Sequence, residues 1–190
     1  MWIMFPMVGS IDDIRAGKAV VDEVKAELDS ENIAYNKDVK IGIMVEVPSI
    51  GLMSDIAAQE SDFCSIGSND LIQYTTATDR INPEVTKYYQ SYSPAVLRLI
   101  RFIVKNYNAA GKSACICGEL GGDTLATAVL VGFGMRKLSM SASNIAGVKK
   151  LIANITIEEA EKLADEVCNM PTSDEVEARL KEFANAHGII

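Results

Sequence analysis

The side chains in this sequence best suited to chemistry are two carboxylates, Glu46 and Asp70, an amide, Asn69, a guanidinium, Arg80, and a thiol, Cys117. The first three and the thiol stand where an apolar run gives way to glycine, proline or polar residues. Glu46 follows Gly42-Ile43-Met44-Val45 and precedes Pro48, Asn69 and Asp70 follow Phe63-Cys64-Ser65-Ile66-Gly67-Ser68, and Cys117 opens Cys117-Gly118-Glu119-Leu120-Gly121-Gly122. This set suits a hard divalent cation and an anionic ligand. Mg²⁺ prefers oxygen and is commonly held by one or two carboxylates, leaving water and substrate phosphate to complete its octahedron. Glu46 and Asp70 supply such a pair. Asn69 offers an amide donor for an anionic oxygen, and Arg80 offers a fork that matches carboxylate or phosphate.

Each group also has a plainer reading. Glu46 is equally a carboxylate leaving a strand into solvent, and Asn69 with Asp70 reads as a turn and helix cap after Gly67. Cys117 can be a small buried apolar residue, and Arg80 can pair at the surface with Asp79 or Glu84. Glycines 118, 121 and 122 would let a substrate approach the backbone near Cys117, although a flexible turn is written with the same letters. The functional reading prevails because these groups end successive strands.

The elements that must position them follow from the hydrophobic pattern. Short apolar, β-rich runs alternate with amphipathic stretches, the pattern of a parallel sheet joined by crossover helices. Five strands are expected, at Trp2–Phe5, Lys40–Glu46, Asp62–Ile66, Ser113–Cys117 and Lys137–Met140. In parallel α/β folds ligands bind at the C-terminal strand ends, so Glu46, Asn69 with Asp70, and Cys117 with Glu119 should share one rim.

Ser10 caps a first helix whose apolar positions Ile11, Ile14, Val21, Val24 and Leu28 fall mostly on one face. A helical stretch from Ile50 to Gln59 follows the second strand. Ser93-Pro94 opens a helix that buries Leu97, Ile100, Val104 and Tyr107 and stops at Gly111. Further helices are expected from Thr124 through Val131, from Ser143 through Ala153, from Thr156 with its capping partner Glu159 to Pro171, and from Ser173 or Asp174 to His187. No repeat or long linker divides the chain, so residues 1–190 read as one domain. The first strand begins almost at residue 1, so the domain reads as entered partway along.

Composition closes several classes. A net charge of −8 removes the clustered cationic surface that nucleic acid requires. No apolar run reaches the roughly 20 residues of a membrane span, and residues 1–8 lack the basic region of a secretory signal, so the cytoplasm is the expected location. Cys64, Cys115, Cys117 and Cys168 show no zinc spacing, and the single histidine, His187, sits near the C-terminus. Reduced thiols then pack or act, and Cys64, Cys115 and Cys168 are assigned to the core.

Read together, the segments IMFPMV (Ile3–Val8), GIMVEVPS (Gly42–Ser49), DFCSIGSNDLIQYTTATDR (Asp62–Arg80), YYQSYSPAVLRLI (Tyr88–Ile100) and CGELGGD (Cys117–Asp123) resemble the phosphoenolpyruvate-utilising family. Within it the order and spacing are most similar to the Enzyme I group of the bacterial sugar phosphotransferase system, with pyruvate phosphate dikinase and phosphoenolpyruvate synthase as the alternatives. The resemblance implies about the last five strands of a (β/α)₈ TIM barrel. It further implies that Glu46 and Asp70 bind Mg²⁺, that Asn69, Asp70 and Arg80 hold phosphoenolpyruvate, and that Cys117 is the acid that protonates the enolate to pyruvate. Thiols ordinarily ionise near about 8.5, so such an acid is charged with its proton at neutral pH. By the same resemblance, two more phosphate-gripping arginines, the phosphoryl-accepting histidine and the docking site for HPr lie outside these residues, and the parent enzyme is a homodimer. The chain alone is then expected to be an incomplete catalyst, or an association module.

Overall fold

Five parallel strands carry the computed structural model, which describes residues 1–189: β1 (Trp2–Phe5), β2 (Lys40–Val45), β3 (Phe63–Gly67), β4 (Ser113–Cys117) and β5 (Lys137–Leu138). They lie side by side in chain order, β1-β2-β3-β4-β5. A doubly wound sheet reverses its order at a switch point, whereas a barrel adds each strand beside the last. The uninterrupted order is therefore that of part of a (β/α)₈ barrel, as expected from the sequence.

Every strand is joined to the next through helix. The helices are α1 (Ile11–Ser30), α2 (Pro48–Leu52), α3 (Ser54–Glu60), α4 (Ser68–Thr76), α5 (Pro94–Ala109), α6 (Thr124–Gly132), α7 (Ala142–Ala153), α8 (Ile157–Cys168) and α9 (Ser173–Ala186). Their starts have local causes. Ser10 and Asp13 form a reciprocal capping box on α1, and Thr156 and Glu159 form another on α8. Asp123 caps α6 by accepting from the Leu125 N–H, and Pro94 occupies the first turn of α5. Gly111, with φ of +68°, turns the chain from α5 toward β4.

The two faces of the sheet differ. Ile43, Val45, Cys64, Ile66, Ala114 and Ile116 are buried and form, with Ile50, Leu97, Ile100, Val104 and Tyr107, the core between sheet and helices. Side chains alternate along a strand. Met44, Ser65, Cys115 and Cys117 thus face the other way, where all but the buried Ser65 are half-buried. That second face leads to the chemistry.

Several expectations need correction. The stretch from Ile50 to Gln59 is two helices, because the chain re-turns at Met53 between α2 and α3. Asn69 and Asp70 are not in a turn but in the first turn of α4, which starts directly from β3. On α1 only Ile14 is fully buried and Val24 is 47% exposed. That helix covers the edge strand, so its apolar stripe meets sheet on one side alone. Strands β2 and β5 end at Val45 and Leu138, short of Glu46 and Met140, and α7 begins at Ala142, one residue before Ser143.

Candidate phosphoenolpyruvate and metal site

At the C-terminal edge of the sheet the register pairs Val45 with Ile66 and Ile66 with Ile116, and one residue further it pairs Gly67 with Cys117. Glu46 continues β2 by one residue, so Glu46, Gly67 and Cys117 form a row across three strands. Parallel strands are spaced by about 4.8 Å, which sets the outer two roughly 10 Å apart at their α-carbons. The middle position carries no side chain. A Cβ at Gly67 would come within 2.6 Å of Glu46 Oε2 and 3.1 Å of Met44 Sδ, so the Glu46 carboxylate leans over Gly67 and needs a glycine there.

Glu46 is 7% exposed. Burying a carboxylate without compensation is costly, so an enclosed oxygen needs a donor. Oε1 accepts from the Met7 N–H at 2.7 Å. Among the described residues, none donates to Oε2. With Oε1 tied by the backbone and Oε2 not buried, Glu46 can offer Oε2 to a divalent cation. Asp70 adds a second hard oxygen donor from the first turn of α4, three residues beyond Gly67. Among the described residues no three His, Cys, Asp or Glu side chains cluster as a metal cage.

Arg80 pairs with Asp70, Nη2 to Oδ1 at 3.3 Å, and not with Asp79 or Glu84. The chain leaves α4 through Ala77 in the left-handed conformation, φ +52°, and the Arg80 N–H donates to Gln73 Oε1 at 3.1 Å. This reversal folds Arg80 back on the helix it has just left. Asn69 Oδ1 accepts from the Glu119 N–H at 3.1 Å. Its acceptor being used, the amide NH₂ remains as the donor toward the rim.

Cys117 is half-buried. Its sulfur lies 3.5 Å from Ser65 Oγ, 3.7 Å from Met44 Sδ and 3.6 Å from the Ile66 carbonyl. All three are neutral groups, and none is a base that would take the thiol proton. The surroundings suit a proton donor better than an activated nucleophile. Cys64 and Cys168 are buried, Cys115 donates to the Cys64 carbonyl at 3.4 Å, and all four cysteines are free thiols.

Sequence reasoning missed the supporting groups. Ser68 Oγ donates to the Cys117 carbonyl at 2.7 Å and ties the start of α4 to the end of β4. Gly118, at φ +84°, leaves room for Ser68 and Asn69, whose side-chain atoms would lie 2.5 and 2.9 Å from a Cβ. Tyr89 donates its hydroxyl to the Asn69 carbonyl at 3.1 Å. Burial pushes that phenol up, with Arg80 opposing and Glu119 and Asp70 adding to the rise. Serine and tyrosine carry no spacing signal that separates such roles from ordinary surface use.

A cleft of about 450 Å³ continues the rim between β4 and β5, lined by Asn69, Gly118, Glu119, Ser139, Ser141 and Asn144. A roomier one, about 610 Å³, lies among Met135, Leu138, Ile145, Val148 and Ile152. Its walls are mostly apolar and hold no carboxylate, so size does not mark the chemistry here.

The model of a family described as PEP-utilising enzyme, PEP-binding domain, matches residues 1–157. The phosphoenolpyruvate-protein phosphotransferase of Priestia megaterium is 41% identical over 174 residues, covering 92% of this chain and 30% of that protein. Those of Bacillus subtilis (strain 168) and Haemophilus influenzae are 41% and 42% identical over 180 and 181 residues, each covering 95% of this chain and 32% of the relative. The chain thus spans about a third of the length of the curated relatives it matches. A citrate lyase from Burkholderia xenovorans LB400 has a similar fold, with a TM-score of 0.56 at 16% identity over 98% of this chain and 64% of that structure. With the family model covering most of the chain, this protein belongs to the PEP-utilising enzymes through their PEP-binding domain.

Proposed function

We propose that these residues form the phosphoenolpyruvate-binding part of a phosphoenolpyruvate-protein phosphotransferase of the Enzyme I type. The observation that carries the reading is the row Glu46–Gly67–Cys117, with Asp70 and Arg80 joined beside it and one Glu46 oxygen tied by the Met7 N–H while the other has no donor.

In this reading Glu46 and Asp70 hold Mg²⁺, while Asn69 and Arg80 orient phosphoenolpyruvate through its anionic oxygens. When bound, the ion neutralises charge on the phosphoryl group and on the enolate oxygen. Arg80, already beside Asp70, adds a fixed positive charge where negative charge develops. The Cys117 S–H delivers its proton to the methylene carbon of the enolate as the phosphoryl group departs, giving pyruvate and a thiolate that must regain a proton before the next turnover. The phosphoryl group passes to a histidine outside these residues and then to HPr. Among the described residues no helix is long and apolar enough to cross a membrane.

A chimera tests this directly. The corresponding third of the Bacillus subtilis relative is replaced by this chain, and pyruvate release from phosphoenolpyruvate is followed with and without Mg²⁺. Magnesium-dependent release at a rate within about tenfold of the relative supports the assignment. A folded chimera that binds neither Mg²⁺ nor phosphoenolpyruvate overturns it. Applied to the isolated 190 residues, the same assay should give no turnover, and robust release would refute their expected incompetence alone.

A further inference from the structure

Met7 has a backbone conformation that its side chain does not favour. Its φ is +52°, in the left-handed region, where non-glycine residues are uncommon and of which Asn is the most tolerant. Such conformations persist only where the surroundings impose them, and they concentrate at functional sites. Here the consequence is visible. After β1 the chain passes Pro6, turns at Met7, and points the Met7 N–H at Glu46 Oε1, 2.7 Å away. The Met7 side chain is 54% exposed, so packing of that side chain does not explain the turn.

We infer that Met7 is a positioning residue acting through its main chain: its left-handed turn fixes one oxygen of Glu46 so that the other faces the cation. This rests on the metal role proposed for Glu46. Three adjacent facts support it. The Glu46 carboxylate lies over Gly67, its Oε2 2.6 Å from where a Cβ would stand there. Gly9, two residues on, is braced by Ser49 Oγ donating to its carbonyl at 2.7 Å, which ties the turn to the start of α2. The buried Val8 anchors the segment between them.

The inference makes an unusual ranking. If the backbone is what matters, Met7→Gly and Met7→Asn retain function, because both tolerate positive φ, whereas Met7→Val does not, because a β-branched residue strongly disfavours it. If the thioether matters instead, glycine and asparagine fail together with valine. Mn²⁺ binding to the 190-residue chain, followed by electron paramagnetic resonance, reads the difference. We expect Gly and Asn within about twofold of wild type and Val weaker by about tenfold, the size typical of lost outer partners at a metal site. A second measurement needs no metal. In the apo chain the Met7 amide proton should exchange slowly and its resonance should shift in Glu46→Gln, in the Gly and Asn variants as in wild type, and the protection should be lost in Val.

Wild-type chain that fails to bind Mn²⁺ would overturn the metal reading of Glu46, while the amide measurement still decides the contact. Wild-type binding with Met7→Val unchanged, or with an unprotected Met7 amide, would overturn the positioning role alone.

Discussion

Cys117 and Gly67 occupy neighbouring places in the same row and fail in different ways. Replacing Cys117 by Ala removes a proton donor and nothing that holds metal. In the Bacillus subtilis chimera, pyruvate release should drop by about 10²–10⁴, the usual worth of a positioned general acid, while Mn²⁺ affinity stays within about twofold. Normal release would show that another group protonates the enolate. Gly67→Ala should do the reverse. Its Cβ would meet Glu46 Oε2 at 2.6 Å, and the carboxylate, held at Oε1 by Met7, has little freedom to retreat. Mn²⁺ affinity should fall about tenfold, by calorimetric titration of the chain, with Cys117 reactivity toward a thiol reagent unchanged. Asp70→Asn should weaken the metal more, by about 100-fold, and also release Arg80 from its 3.3 Å pair. Unchanged affinity in that variant would remove Asp70 from the metal site. Glu46, Asn69, Asp70 and Cys117 were legible as candidates because each is a distinctive residue type at a strand end or just beyond, and the structure places them at the same edge of the sheet. The Met7 N–H and the Tyr89 hydroxyl were not legible, since a backbone donor has no letter and a tyrosine has many uses. Arg80 was legible as a cation but not in its partner. The turn at Ala77, which brings it back to Asp70, is written with a residue that rarely adopts positive φ.

Helix starts were the most readable elements because their signals are local. Ser10 with Asp13 and Thr156 with Glu159 satisfy backbone donors within one turn, and Pro94 removes one where a helix leaves it without a partner. Thr156→Ala should therefore lower the thermal midpoint by about 2–4 °C, measured by circular dichroism. Its effect should also depend on pH. Donation from the Thr156 backbone N–H and, second, from the Thr156 hydroxyl holds the Glu159 carboxyl below its ordinary range, and Thr156→Ala removes only the hydroxyl's share. A carboxyl whose folded-state pKa is depressed contributes stability above its unfolded value and loses it as pH falls through the folded one. Part of the Thr156→Ala penalty should accordingly vanish in acid, and a penalty that grows there would contradict the box as drawn. Less legible were α2 and α3, where the only breaker near Met53 is Gly51, inside α2 rather than at the break. The start of α4 was hidden too, because Gly67-Ser68-Asn69-Asp70 spells a turn and only the close approach to Glu46 reveals why the glycine is there. Where α6 packs on α8, Gly132 lies against the Ala160 carbonyl with no room for a Cβ. That contact is long-range, and no pattern within either helix foretells it.

At the scale of the whole molecule, strand order decides more than strand count. Five strands in sequence with no switch point place every C-terminal end on one rim, which brings the candidate residues of three strands to one edge. The same order leaves β1 and β5 each with one partner strand among the described residues, and unpaired strand edges are templates for association. The sheet face carrying Cys117 adds to this. Trp2 is 59% exposed and Met4 40% exposed on it, with Trp2 stacked against Phe63 at 4.7 Å and covered by Lys137 at 5.4 Å. Apolar groups of that size on a chain of net charge −8 set attraction at the face against repulsion over the surface. The balance should shift with salt, because screening weakens the repulsion and leaves burial intact. Light scattering on the 190-residue chain should give a mass rising from 20.6 kDa toward twice that value with concentration, and at lower concentration in 0.5 M than in 0.05 M salt. Trp2→Lys should delay the rise. A mass fixed at the monomer across both series would leave the edges and the exposed tryptophan without a role in self-association.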